Sequence, residues 1–282
     1  MGAKPQARDD TVLPATRALS AAIVPFLVVA FVVLYGFPQD TEDLFAWPIR
    51  PTMTAMTLGA VYLGGAYFFV HACRAGSWHT VQAGFPAVGA FASLVGVATI
   101  LHWDKFTHDH VAFWLWAGLY FTTPFLVFAV WLANRRRASP AGPGDLLVSP
   151  GMRWVIGGVG LLAVGAGAVL FVAPARAVEW WPWTLSELTA RTTGAIFMLG
   201  LAAASVAADP RWSAVRLMLR VQCFMMVLIL LAALRAADEF DAGNGLGRLL
   251  LAGFVGTLAG AGAFSVAMDR RAGGTPASDT TP

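Results

Sequence analysis

Charged residues are scarce in this chain. Only 12% of the 282 residues are Asp, Glu, Lys or Arg, whereas 57% are hydrophobic, and the mean hydropathy is +0.65. A soluble domain of this size carries about twice that share of charge. The composition therefore excludes a soluble globular protein and a disordered chain, and it predicts a polytopic integral membrane protein.

Cysteine and recognised catalytic motifs are also scarce or missing. The two cysteines, Cys73 and Cys223, each fall inside an apolar run, which argues against a structural disulfide. The chain has no CxxC pair, no HExxH motif and no serine nucleophile elbow. Its basic residues flank apolar runs and form no single patch, so nucleic acid is not a predicted partner. The sequence thus predicts no catalytic residue and no cofactor.

Long apolar runs recur from end to end. Each is close to the roughly 20 residues that a helix needs to cross a bilayer, and none alternates as a β-barrel strand does. We predict an all-α bundle of eight transmembrane helices. The predicted spans are 19–37, 52–73, 81–102, 111–133, 153–173, 190–208, 212–235 and 248–268.

The two halves of the chain share similar blocks. Trp47-Pro48 is followed by Thr54-Ala55 and Gly59-Ala60, and Trp181-Pro182 is followed at nearly the same spacing by Thr189-Ala190 and Gly194-Ala195. At a nearly equal offset, Asp104-Lys105-Phe106 matches Asp238-Glu239-Phe240. These matches predict two tandem repeats of four helices. Since four is even, both repeats enter the membrane in the same direction and form a parallel repeat.

This repeat defines the predicted organisation. The domains are an N-terminal segment (1–18), a first four-helix repeat (19–133), an Arg-rich linker (134–152), a second repeat (153–268) and a disordered tail (269–282). Most of the 19 Lys and Arg residues fall on the side of the termini. The positive-inside rule therefore predicts that the N-terminal segment, the linker and the tail are all cytoplasmic.

A histidine-rich turn is the only candidate metal site. His102, Asp104, His108 and His110 lie within nine residues between the third and fourth spans, and imidazole and carboxylate groups are ligands for zinc or copper. A solvated interfacial turn explains the same residues without a metal. Haem is a further alternative, held by pairs drawn from His71, His79, His102 and His110.

A few other polar and aromatic residues stand out. Arg220 and Gln222 in the seventh span, and Arg191 in the sixth, are candidates for lining a pathway. The Trp-Pro blocks, Trp47-Pro48 and Trp181-Pro182, are predicted to seat helices at the membrane interface. Glycines in the fifth and eighth spans, including the pair Gly256 and Gly260, predict close helix packing within the second repeat or against a partner.

Three functions from different classes remain open on these observations. The favoured one is transport or permeation of a small neutral or lipid-like solute, because the spans hold too few polar groups for a charged one. The second is a non-catalytic subunit or scaffold that binds other membrane subunits or a second copy of the chain. The third is a redox protein that binds a metal or haem at the histidines.

The predicted orientation can be tested by cysteine labelling. In a chain whose two native cysteines are replaced by serine, Ser139→Cys in the linker should react only with an impermeant thiol reagent on the cytoplasmic side. Lys105→Cys should react only from the opposite side, because an odd number of spans separates the two positions. Reaction of both cysteines from one side would contradict the topology.

Overall fold

A computed structural model describes residues 9–239 and 244–273, and this part of the chain is helical without β-strands. Some predictions fall outside the described residues. They concern residues 1–8 of the N-terminal segment, residues 274–282 of the tail, and Phe240 of the block Asp238-Glu239-Phe240. Eight helical segments are long and apolar enough to cross a membrane. The predicted all-α membrane bundle is therefore confirmed.

The helices are numbered α1 to α11 in chain order. The eight spans are formed by α1, α3, α4, α5, α6, α8 with α9, α10 and α11, while α2 and α7 are short helices between spans. Their bounds are α1 Pro14–Phe31, α2 Thr41–Leu44, α3 Thr52–Arg74, α4 Gly84–Leu101, α5 Val111–Arg135, α6 Pro150–Val172, α7 Pro174–Trp180, α8 Glu187–Phe197, α9 Gly200–Ala204, α10 Trp212–Arg235 and α11 Gly245–Gly273.

Local chemistry moves several boundaries away from the predicted ones. Pro14 and Pro150 begin α1 and α6, since proline has a helical φ and its missing N–H costs nothing in the first turn. The sixth span begins at Glu187 because Ser186 caps α8 and exchanges hydrogen bonds with Thr189. The last helix continues to Gly273, so the first five residues of the predicted disordered tail are helical.

Four helices form the centre of the bundle, namely α3, α4, α8 and α10. Within the first half of the chain α1 packs on α3 and α4 on α5, and within the second half α6 packs on α8 and α9, and α10 on α11. The halves meet where α3 packs against α10 and α4 against α8. The central helix α3 is the most buried span, and α11 at the edge is the least buried.

An even number of spans brings both ends of the described chain to one side, which we call the terminal face. Two isolated antiparallel bridges lie there, Thr11 with Ser77 and Leu147 with Arg211. Each bridge immediately precedes a buried tryptophan, Trp78 or Trp212. These features recur at the spacing of the matched blocks, and the two-repeat arrangement stays a prediction.

Glycines set the distance between α6 and the sixth span. A Cβ atom on Gly167 would lie 2.6 Å from the carbonyl oxygen of Gly194, and one on Gly160 would lie 2.5 Å from that of Gly200. The predicted close packing of the fifth span is thus found. In the eighth span no described atom lies within 4 Å of a Cβ on Gly256 or Gly260, so the predicted packing of that span against a partner stays a prediction.

This packing predicts different effects for two neighbouring glycines. Gly167→Val should lower the free energy of unfolding by about 1–3 kcal/mol, because α6 and α8 must separate to admit the side chain. Gly165→Val is the matched control, since nothing lies within 4 Å of its Cβ. Thermal unfolding in mild detergent measures both, and equal effects would contradict the assigned contact.

Candidate functional site

An apolar cavity lies between the central helices. It has a volume of about 90 Å³, room for roughly three groups of the size of a water molecule. Phe68 of α3, Phe91 of α4 and Met225 of α10 are among its apolar walls, and Leu199 and Ala202 of the sixth span also line it. Both halves of the chain therefore contribute to this central cavity.

The few polar side chains named here in the lining of the central cavity carry uncharged hydroxyl or amide groups. Tyr62 of α3 and Tyr120 of α5 are both buried, and their hydroxyl oxygens lie 2.7 Å apart in a hydrogen bond. Thr123 and Gln222 also line the cavity. In a tyrosine pair one hydroxyl donates to the other, and the second keeps its own hydrogen for a third group. The cavity therefore has mostly apolar walls with a few groups that can form hydrogen bonds to a ligand.

A second opening lies at the terminal face between the end of α3 and the start of α10. We call it the basic groove, with a volume of about 220 Å³. Three of its side chains are guanidinium groups and one is an imidazole. Its named members are His71, Arg74, Thr80, Ser213, Arg216 and Arg220.

Only part of the positive charge in the basic groove is neutralised. Asp269 of α11 accepts a hydrogen bond of 2.6 Å from Arg220 and lies 4.0 Å from Arg216. Arg74 has no hydrogen-bond or ion-pair partner among residues 9–239 and 244–273. The groove therefore keeps a net positive charge at the ends of the spans formed by α3 and α10.

The central cavity and the basic groove adjoin each other along two helices. On α3, Phe68 lines the cavity and His71 lines the groove. On α10, Val221 lines the cavity and Leu217 lines the groove. Three or four residues correspond to one helical turn of about 5.4 Å. The groove and the cavity are therefore neighbours along both helices.

A buried ion pair stands beside the basic groove. Arg211 donates hydrogen bonds of 2.8 and 2.6 Å to Asp209, and Gln82 from the other half donates to the same carboxylate at 3.0 Å. Burial alone would raise the pKa of Asp209, but the hydrogen bonds and charge of Arg211 hold that pKa below its ordinary value. This pair is fully engaged in joining the halves and is not free for a ligand.

The structure does not bring the predicted metal ligands together. His102 contacts the guanidinium of Arg191, Asp104 pairs with Lys105 at 3.0 Å, and His110 caps α5. His108 packs between the rings of Trp103 and Phe113. Within residues 9–239 and 244–273 no group of three or more His, Cys, Asp and Glu side chains is placed to hold a metal ion.

The predicted pathway residues fall in three different places. Gln222 lines the central cavity, and Arg220 lies in the basic groove with 44% of its side chain exposed. Arg191 lies near the opposite face, where it donates to the carbonyl of Phe171 and lies 3.6 Å from Glu187. Of the three, only Gln222 lines the cavity itself.

The Trp-Pro blocks pack into the protein at the opposite face. Trp47 is buried among Phe45, Phe106 and Trp116, with its ring centroid 4.7 Å from that of Trp116. Pro48 is exposed, Trp181 is half-buried, and Pro182 contacts the backbone of α11 at Gly247. Trp47 is thus enclosed by aromatic neighbours, and the predicted position of the two blocks at the membrane interface stays a prediction.

The sequence analysis missed the central cavity, the tyrosine pair and Arg74. None of these has a local motif, since each depends on which helices become neighbours. Comparison of the chain with protein-family models, curated proteins and solved structures found no match.

The contact between His102 and Arg191 predicts a pH dependence of stability. Partial burial and the neighbouring guanidinium lower the pKa of His102 below its ordinary value. The unfolded chain then binds a proton more readily than the folded one. Stability should fall as the pH drops through about 6.5, the unfolded pKa.

His102→Gln should remove this part of the pH dependence, and Arg191→Gln should weaken it. Thermal unfolding in detergent at pH 7.5 and pH 5.5 measures the difference for each chain. The same loss of stability on acidification in wild type and His102→Gln would rule out the contribution of His102.

Proposed function

We propose that the protein binds a lipid-like molecule between its helices and carries it between the central cavity and the terminal face. The observation that supports the proposal is the apolar cavity, lined by both halves and adjoined by a basic groove. Such a pairing suits an amphiphile with one apolar chain and one anionic group.

The lining of the cavity favours an apolar ligand over an ion. Its walls are mostly aromatic and aliphatic side chains, and its named polar groups, such as Tyr62 and Gln222, are uncharged. An ion entering it would lose its hydration without gaining a charged partner, which costs several kcal/mol. A hydrocarbon chain has no comparable hydration energy to lose when it enters the cavity.

The basic groove supplies a place for the anionic group. A phosphate there would meet Arg74, which has no partner among the described residues, and Arg216, whose Asp269 contact is long at 4.0 Å. Arginine binds phosphate through two parallel hydrogen bonds. The positive-inside rule further supports an arrangement in which this groove opens towards the cytoplasm.

The proposed two-repeat organisation supplies a way to move the ligand. If each half is a four-helix unit, the contacts of α3 with α10 and of α4 with α8 are the boundary between the units. Parallel repeats in transporters enclose a binding site at such a boundary and rock against each other around it. The central cavity lies along this boundary.

A scaffold function is the second candidate, favoured by one observation. Among the described residues α11 packs mainly against α10, and an added Cβ on Gly253, Gly256 or Gly260 would have no described atom within 4 Å. Small residues allow another helix to approach closely. This edge therefore fits a partner subunit or a second copy of the chain.

Filling the central cavity tests the favoured function. Val88→Phe places a ring at the cavity wall and should weaken binding of hexadecyl phosphate by at least about tenfold, or about 1.4 kcal/mol. Val97→Phe is the matched control, because Val97 lies on the same helix and is exposed. Binding is measured by native mass spectrometry of the protein released from detergent.

Two results would contradict the proposal. One is hexadecyl phosphate that binds Val88→Phe and Val97→Phe equally, which would place the ligand outside the cavity. The other is no binding to the folded wild-type protein, which would leave the scaffold function as the better explanation.

A further inference from the structure

Asp10, His79 and Ser213 form a hydrogen-bonded chain at the terminal face. The Nδ1 atom of His79 contacts a carboxylate oxygen of Asp10, and its Nε2 atom lies 3.0 Å from the hydroxyl oxygen of Ser213. The carboxylate holds the proton on Nδ1, which leaves the lone pair of Nε2 facing the serine hydroxyl. The hydroxyl therefore donates to the imidazole.

The segment before α1 holds the carboxylate in place. The bridge between Thr11 and Ser77 joins this segment to the loop after α3, and the backbone N–H of Trp78 donates to the Asp10 carbonyl at 2.6 Å. The carboxylate of Asp10 also accepts from the backbone N–H of His79 at 3.2 Å. Because Trp78 is fully buried, the imidazole that follows it has a fixed position.

The serine lies where a substrate can reach it. Ser213 is the second residue of α10 and lines the basic groove, whereas His79 and Asp10 lie behind it with 14% and 15% of their side chains exposed. In the first turn of α10 the N–H of Trp212 donates to the Leu146 carbonyl and that of Ala214 donates to the Arg211 carbonyl, so these groups are not free for a ligand. Arg216 lines the same groove as Ser213, and its guanidinium is the group that can stabilise negative charge on an ester carbonyl oxygen there.

The serine hydroxyl has no capping role that would account for its position. The residue before α10 is Arg211, and no side chain caps this helix end. By contrast, Ser20, Ser93 and Ser205 donate to carbonyl groups of their own helices. Ser213 instead contacts an imidazole that a carboxylate orients, the order of groups that activates a serine nucleophile.

We propose that Ser213 is the nucleophile of an acyl-ester hydrolase at the membrane surface, with His79 as its base and Asp10 as a positioning residue. Ser213 Oγ bonds to the ester carbonyl carbon while its proton passes to His79 Nε2. The carbon–oxygen bond to the alcohol then breaks, and the alcohol leaves with that proton. Water then loses a proton to His79 Nε2 and its oxygen bonds to the acyl carbon. The bond from that carbon to Ser213 Oγ breaks, Oγ takes the proton back from His79, and a carboxylic acid leaves.

The substrate class rests on the proposed function. A carboxylic ester with a phosphate on the same molecule and one acyl chain matches the basic groove and the cavity beside it. A lysophospholipid has this chemistry. The nucleophile itself depends only on the three side chains, so it can be tested apart from the cavity.

A fluorophosphonate probe with an alkyl chain tests the nucleophile. The probe phosphorus bonds to an activated serine with loss of fluoride, so the peptide that contains Ser213 should gain the probe mass in full-length protein in nanodiscs. Ser213→Ala should abolish labelling, and Asp10→Asn should slow it by at least about tenfold. Ser205→Ala is the matched control and should label at the wild-type rate.

Folding is followed in every variant by size-exclusion chromatography and thermal unfolding. An unlabelled Ser213 in folded wild-type protein overturns the proposal and marks the three residues as a joint between the halves. Labelling at the same rate in folded Asp10→Asn also overturns it, because an unactivated hydroxyl would then be reacting.

The substrate class has its own measurement. Wild-type protein should release fatty acid from palmitoyl lysophosphatidylglycerol faster than from monopalmitoylglycerol, and Arg74→Gln should reduce that difference. Equal rates for the two esters would overturn the assigned substrate class. Failure of hexadecyl phosphate to bind, with Ser213 still labelled, would overturn the proposed transport and leave the nucleophile in place.

Discussion

The packing of α3 against α10 and of α4 against α8 is the contact on which the rest of the structure depends. It joins the two halves, closes the central cavity and sets the basic groove beside the first turn of α10. In a bilayer this contact gains little from the hydrophobic effect, because lipid chains are as apolar as the side chains. Close packing and a few polar contacts must hold it together instead.

Those polar contacts lie at both faces of the bundle. At the terminal face Gln82 donates to Asp209 and His79 contacts Ser213, so two hydrogen bonds cross between the halves there. At the opposite face the indole of Trp183 donates to Thr54 at 2.9 Å, which links the second Trp-Pro block to the first half. The polar groups are placed where the headgroup region can solvate their unpaired atoms, and the bundle between them is apolar.

The proposed site combines this polar boundary with the apolar interior. A phosphate would lie among arginines, an ester beside Ser213, and a hydrocarbon chain among the aromatic rings of the cavity. Binding and hydrolysis then concern the same class of molecule, although they rest on different residues. An acyl ester cleaved at the groove would leave its fatty acid next to the cavity.

The sequence by itself determined the eight spans and the membrane class, because a stretch of about 20 apolar residues can satisfy its backbone in lipid only as a helix. It also indicated close packing at Gly160 and Gly167, which the contact of α6 with the sixth span confirms. Only the tertiary structure decided which residues meet. Asp10 and His79 are 69 positions apart, and His79 and Ser213 are 134 positions apart. A local sequence pattern cannot predict such a contact, because it depends on which helices pack against each other. The one signal in the sequence for this contact is that a tryptophan precedes both His79 and Ser213. That similarity can be interpreted only after the structure has placed both residues at the boundary between the two halves.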